Sequence, residues 1–115
     1  MNSRQTSPPW AIRAEKVQAA ICRIVEVGRP RRIILFGSYV RGETNINSDV
    51  DMLVIVRDTV ADPRKEGVRL RRAVRDISMP MDILVVPESQ WEVLKELPGL
   101  IYREAWTKGR VVYES

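Results

Sequence analysis

Histidine is absent from this 115-residue chain and cysteine occurs once. Without histidine there is no Ser-His-Asp or Cys-His catalysis, no histidine-containing zinc site and no imidazole general base, so carboxylates are the catalytic groups at hand. The lone Cys22 cannot form an internal disulfide and suits a reducing compartment. Its place on the expected buried face of a helix reads as core packing rather than as a nucleophile. No apolar run approaches the roughly 18 residues that a membrane-spanning helix needs, and the N-terminus lacks the basic-then-apolar pattern of a signal peptide. The expected location is therefore the cytoplasm. Repeats, linkers and low-complexity segments are also lacking.

What is present is ordinary globular material, 44% hydrophobic and 30% charged. The length fits one domain, residues 1–115, with 1–6 loose and no room for a second, substrate-binding domain. A formal charge of +4 and a pI near 9.6 suit an acidic or polyanionic partner. Much of the excess lies in Arg64, Lys65, Arg69, Arg71, Arg72 and Arg75. No aromatics interleave with these charges, which argues against stacking on single-stranded bases. The run is either a solvated helix face or a surface for triphosphate, RNA or a protein partner.

Taken in order, Ser7 with Pro8 and Pro9 predicts a helix cap. The helix it opens carries Trp10, Val17, Ala20, Ile21, Ile24 and Val25 on one face and stops at Gly28 and Pro30. A strand follows at 32–36, then a short helix from Ser38 to about Arg41, then a second strand at 49–56. Asp62-Pro63 caps a basic helix over roughly 63–77, with Val68, Leu70, Val74 and Ile77 as its apolar stripe. A third strand spans Met81 to Val86, with Asp82 and Leu84 sharing one face. Ser89 with Glu92 predicts a capping box for a helix carrying Trp91, Val93, Leu94 and Leu97. A further helix covers about 100–108, and Val111 to Tyr113 forms an edge strand. The class is α/β, a small mixed sheet flanked by helices, with strand order left open.

The chemistry concentrates in Gly37 to Val56, GSYVRGETNINSDVDMLVIV. Residues two apart on a strand lie roughly 6–7 Å apart on one face, so Asp49 and Asp51 point the same way. Paired carboxylates at the mouth of an apolar strand repel each other, and a hard divalent cation, magnesium foremost, resolves that conflict. Upstream, Gly37 and Gly42 permit backbone conformations closed to other residues, and exposed amides with the Ser38 hydroxyl are natural donors to phosphate. Arg41 either contacts phosphate or braces the loop through a carboxylate such as Glu43, with bracing favoured. No Gly-Lys-Ser or Gly-Lys-Thr follows, so this is not a P-loop. Each part has a plainer reading. Asp49 can cap, Asp51 can face solvent, Gly37-Ser38 can be a common turn and Asp82 can pair with an arginine.

Together, Gly-Ser, ten residues and Asp-x-Asp resemble the signature of the DNA polymerase beta-like nucleotidyltransferase superfamily. Gly37-Ser-x-x-Arg-Gly42 and Ser48-Asp-x-Asp51 resemble its minimal nucleotidyltransferase branch. The resemblance implies a third carboxylate on a neighbouring strand, for which Asp82 is the candidate. If the second and third strands are neighbours, Asp49, Asp51 and Asp82 converge as a triad able to hold two magnesium ions. Asp49 and Asp51 are then the primary ligands, and Asp82 binds on the nucleophile side and can accept the acceptor's proton. Gly37, Ser38 and Arg41 form the nucleotide-binding set. The family further implies ATP as substrate, a hydroxyl acceptor and an antitoxin role, transferring AMP to a tyrosine of a helical HEPN ribonuclease toxin. Two alternatives stay open: a non-catalytic antitoxin or scaffold that blocks its partner by occlusion, and nucleotide addition to RNA. Homo-oligomerisation is compatible with all three.

Overall fold

A computed structural model of the protein describes residues 8–115, and the Ser7 cap and the 1–6 tail lie outside the described residues. The element order is α1 (Ala14–Gly28), β1 (Arg32–Phe36), α2 (Ser38–Arg41), β2 (Val50–Val56), α3 (Pro63–Ala73), β3 (Met81–Pro87), α4 (Glu88–Leu94), α5 (Ile101–Lys108) and β4 (Arg110–Glu114). The sheet is mixed, in the order β3-β2-β1-β4. β1 runs antiparallel to both β2 and β4, while β2 and β3 are parallel and joined by the α3 crossover. No helix among the described residues is long and apolar enough to cross a membrane.

The central strand β2 is buried on both faces along Met52 to Val56, as its unbroken apolar run requires. Side-chain alternation splits the core in two. Met52, Val54 and Val56 pack with Val17, Ala20, Ile21 and Ile24 of α1 and Leu70 of α3. On the other face, Leu53 and Ile55 pack with Ile34, Phe36, Val86, Trp91 of α4 and Ala105 of α5. The sheet is therefore a filling between two helical layers, with the start of β2 and the end of β1 at one common rim.

Several local expectations change. Helix α1 starts at Ala14 rather than at the prolines, so Trp10 precedes it and is half exposed. Cys22 is exposed rather than buried: the inward stripe is Val17, Ala20, Ile21 and Ile24, and Cys22 falls beside it. The chain leaves α1 through Arg29 in the left-handed region, φ 45°. Helix α3 ends at Ala73, and its inward positions are Glu66, Gly67 and Leu70, which leaves Val68 exposed. Glu66 tolerates burial because Arg69 donates to both of its carboxylate oxygens at 2.9 Å, as a buried charge requires. Asp62 does cap α3, accepting from the Arg64 and Lys65 amides. Ser89 does not cap α4. Its N–H and hydroxyl instead both donate to Asp58 at 3.0 Å, a carboxylate 31 residues away in sequence that pins the helix start to the end of β2.

Candidate active site

β1 ends at Phe36 and the chain turns on Gly37, with φ 82° and ψ −160°, directly into α2. Phe36 is the antiparallel partner of Asp51, so this turn hangs over the start of β2. A side chain at Gly37 would run into the Asp51 carboxylate, and that contact explains the glycine as much as its backbone angle does. The first amides of a helix have no intrahelical acceptor, so the N–H groups at the start of α2 stay free beside the half-buried Ser38.

The approach to β2 is held by its own loop. The Asn45 N–H donates to the Ser48 hydroxyl at 2.9 Å, and the Ser48 N–H returns to the Asn45 carbonyl at 3.0 Å. This closed turn delivers Asp49, exposed, immediately before the first paired residue of β2. The strand thus begins one residue later than the alternation of Asp49 and Asp51 suggested.

Asp51 and Asp82 are direct register partners across the parallel β2/β3 pair. Neighbouring strands lie about 4.8 Å apart, and register partners share a face, so the two aspartates stand side by side on the Leu53/Leu84 face of the sheet. Asp51 is half-buried, while Asp82 and Asp49 are exposed. Desolvation first, then repulsion from Asp49, Asp82 and Glu104, pushes the Asp51 carboxyl up to about 6, with Arg41 opposing. Among the described residues no basic side chain forms an ion pair with any of the three aspartates.

The donor set suits a hard divalent cation: three carboxylates, one of them destabilised as an anion by the others. As they stand, no three acidic side chains among the described residues form a ready ligand cage. Holding an ion here requires these carboxylates to turn toward one another.

Glu104 of α5 is the group that the sequence does not reveal. Arg41 donates through Nε to Glu43 at 2.9 Å and through Nη1 to Glu104 at 3.0 Å, which braces the turn against α5 instead of leaving the guanidinium free. The Glu43 hydrogen bond, with a weaker contribution from Glu104, raises the Arg41 pKa further above its ordinary value. Glu104 is 63 residues from Arg41 and sits in a helix with other charged positions, so no local pattern marks it.

The raised Asp51 pKa carries a stability consequence. The folded state holds that proton to about pH 6, whereas the unfolded chain releases it near the ordinary aspartate value of 3.8. The proton therefore contributes stability that is fully present below 3.8 and lost as the pH rises through 6. We expect Asp51→Asn to melt higher than the unsubstituted chain at pH 7.5. That advantage should shrink as the pH falls from 6 toward 4, as read from melting temperatures of both chains across the range. A gap that is constant with pH would contradict the assignment.

An α/β fold with paired aspartates beside a glycine turn is compatible with nucleotide handling, and likeness to known proteins gives the class. The chain belongs to the nucleotidyltransferase domain family, whose model matches residues 14–106. It is 39% identical over 56 residues to a Methanocaldococcus jannaschii protein that carries the provisional name protein adenylyltransferase, a stretch covering 49% of this chain and 54% of that protein. The chain thus spans about half the length of that curated relative. Among solved structures, a Sulfolobus solfataricus protein provisionally described as a nucleotidyltransferase aligns with a TM-score of 0.60 at 15% identity, covering 87% of this chain and 78% of the other. A toxin–antitoxin structure with AMP-PNP aligns at 0.53 and 22% identity, covering 85% and 73%. A mutant of the MntA-HpeT toxin–antitoxin aligns at 0.54 and 18%, covering 85% and 72%. At these identities the structural likeness is one of fold.

Proposed function

We propose that this chain is a magnesium-dependent nucleotidyltransferase that moves AMP from ATP to a hydroxyl, with a tyrosine of a HEPN ribonuclease toxin as acceptor, and so acts as an antitoxin. The observation that carries the reading is the register pairing of Asp51 with Asp82 beneath the Gly37 turn. That pairing supports the reading by bringing two carboxylates and a glycine turn to one rim of the sheet. Family membership supports transfer chemistry, and the provisional name of the M. jannaschii relative and the AMP-PNP and MntA-HpeT neighbours favour this nucleotide and this kind of partner.

In this reading Asp49 and Asp51 are the principal magnesium ligands and Asp82 completes the set. Held there, magnesium would neutralise triphosphate charge and lower the pKa of the acceptor hydroxyl. The free amides of the turn, with Gly37 and Ser38, receive the β- and γ-phosphates. Arg41 fixes the turn through Glu43 and Glu104 and acts as a positioning residue. The acceptor oxygen attacks the α-phosphorus in line, the bond from that phosphorus to the bridging oxygen breaks, and pyrophosphate leaves. Asp82, exposed beside Asp51, takes the acceptor's proton.

The test is incubation of the full chain with α-labelled ATP, magnesium and a candidate helical ribonuclease. We expect label on a partner tyrosine, and none when the chain carries Asp49→Ala. Inhibition of the ribonuclease that persists in Asp49→Ala without label would overturn transfer and favour occlusion.

A further inference from the structure

β3 lies at the sheet's edge, paired with β2 on one side and with no other strand among the described residues. The Val50 N–H donates to the Pro80 carbonyl at 3.0 Å, and in a parallel ladder that bond fixes which residues of β3 address β2. Asp82, Leu84 and Val86 turn their backbone groups toward β2, so the N–H and C=O groups of Ile83 and Val85 point away from it, Ile83 with 3% of its surface exposed and Val85 half-buried. The pairing continues through Pro87 without a register shift, and no bulge blunts the edge.

A groove of about 360 Å³ follows this edge, walled by Ile83 and Val85 on one side and by Arg64, Val68 and Arg71 of α3 on the other. Gly67 lets α3 come close: a Cβ there would lie 3.1 Å from Arg71 Nη1 and 3.6 Å from Val85 Cγ2. Val68, off the core, is 46% exposed. Arg69 and Arg23 are taken up by Glu66 and Asp76, whereas Arg64 and Arg71 form no ion pair among the described residues. Asp82 immediately precedes Ile83, about 10 Å from Val85 at strand rise, with its side chain on the opposite face of the sheet from the groove.

We propose that this groove docks an extended acidic segment of the acceptor protein, added as a strand to the free edge of β3, which leads a hydroxyl-bearing residue to Asp82. The purpose rests on the transfer reading above, while the docking rests on the edge itself. Outward-pointing backbone groups two residues apart match an added strand, and the arginines match carboxylates on those of its alternate positions that face α3. The positions between them face the other side of the sheet, where partly buried Leu84 matches apolar side chains and Asp82 the hydroxyl. The groove walls carry no aromatic ring for base stacking, which sets protein above single-stranded RNA.

The probe is a fluorescein-labelled dodecapeptide of alternating glutamate and valine with one internal tyrosine, titrated against the full chain without ATP or metal and followed by anisotropy. We expect binding that weakens with salt. It should fall on the order of tenfold with Arg64→Glu and Arg71→Glu combined, and comparably when alternate peptide amides are N-methylated. The N-methyl arm leaves the protein unaltered and so does not depend on any variant folding. No binding, binding indifferent to N-methylation, or binding indifferent to the charge reversal would overturn the proposal. So would tighter, equally arginine-dependent binding of an oligouridylate of matched charge. A dimer in sedimentation that Val85→Pro dissociates would assign the edge to a second copy instead. Peptide binding that survives while label transfer is absent would count against the transfer reading alone, and transfer without peptide binding would count against the groove alone.

Discussion

Asp51→Asn is expected to lower the proposed AMP transfer by about a thousandfold, ~4 kcal/mol of transition-state stabilisation, while making the folded chain more stable at neutral pH. The two effects share one cause. Asp51 is half-buried with Asp49, Asp82 and Glu104 all disfavouring its charge, and only Arg41 relieves it. An amide of the same shape removes that repulsion and, with it, the negative charge that would hold a divalent cation on the triphosphate in the proposed reaction. A carboxylate kept for structure behaves in the opposite way, since its removal costs stability and spares turnover. Radiolabel transfer measured beside a melting curve on the same preparation separates the cases. A variant that is both less stable and fully active would contradict the site.

The second large effect is expected at Gly37. Its φ of 82° with ψ of −160° belongs to a region that only glycine occupies without strain, and a Cβ would strike the Asp51 carboxylate. Gly37→Ala should therefore cost about 1–3 kcal/mol of stability and displace either the turn or Asp51, with transfer falling on the order of a hundredfold. Gly42→Ala is the matched control. Gly42 also has positive φ, 74°, but nothing lies within 4 Å of a Cβ there, so the cost should stay near 1–2 kcal/mol of backbone strain with transfer largely retained. Equal loss of transfer in both variants would mean that the contact with Asp51 does not matter.

Much of this arrangement is legible in the sequence because it is local. The Gly37-Ser38 turn, the apolar run of β2 and the Asp62-Pro63 cap each encode their structure within a few residues. Asp82 stands exposed beside Asp51 because the β2/β3 register puts it there, in line with the expectation that the second and third strands are neighbours. What stays hidden is set by tertiary partners. Arg41 pairs with Glu104 across the fold, and Asp58 holds the start of α4 where a capping box seemed to serve. Cys22 and Val68 look inward by rough helical spacing, yet the actual phases of α1 and α3 turn them out. Glu66 looks like a surface charge because its counter-ion, Arg69, is one of many in a basic run.

Diffraction from crystals of the full chain soaked with manganese and a non-hydrolysable ATP analogue puts the central claim to its most direct trial. Anomalous density bounded by the carboxylates of Asp49, Asp51 and Asp82, with the β- and γ-phosphates against the Gly37-Ser38 amides, is the expected result. Nucleotide bound elsewhere, or manganese held without Asp51 and Asp82, would contradict it.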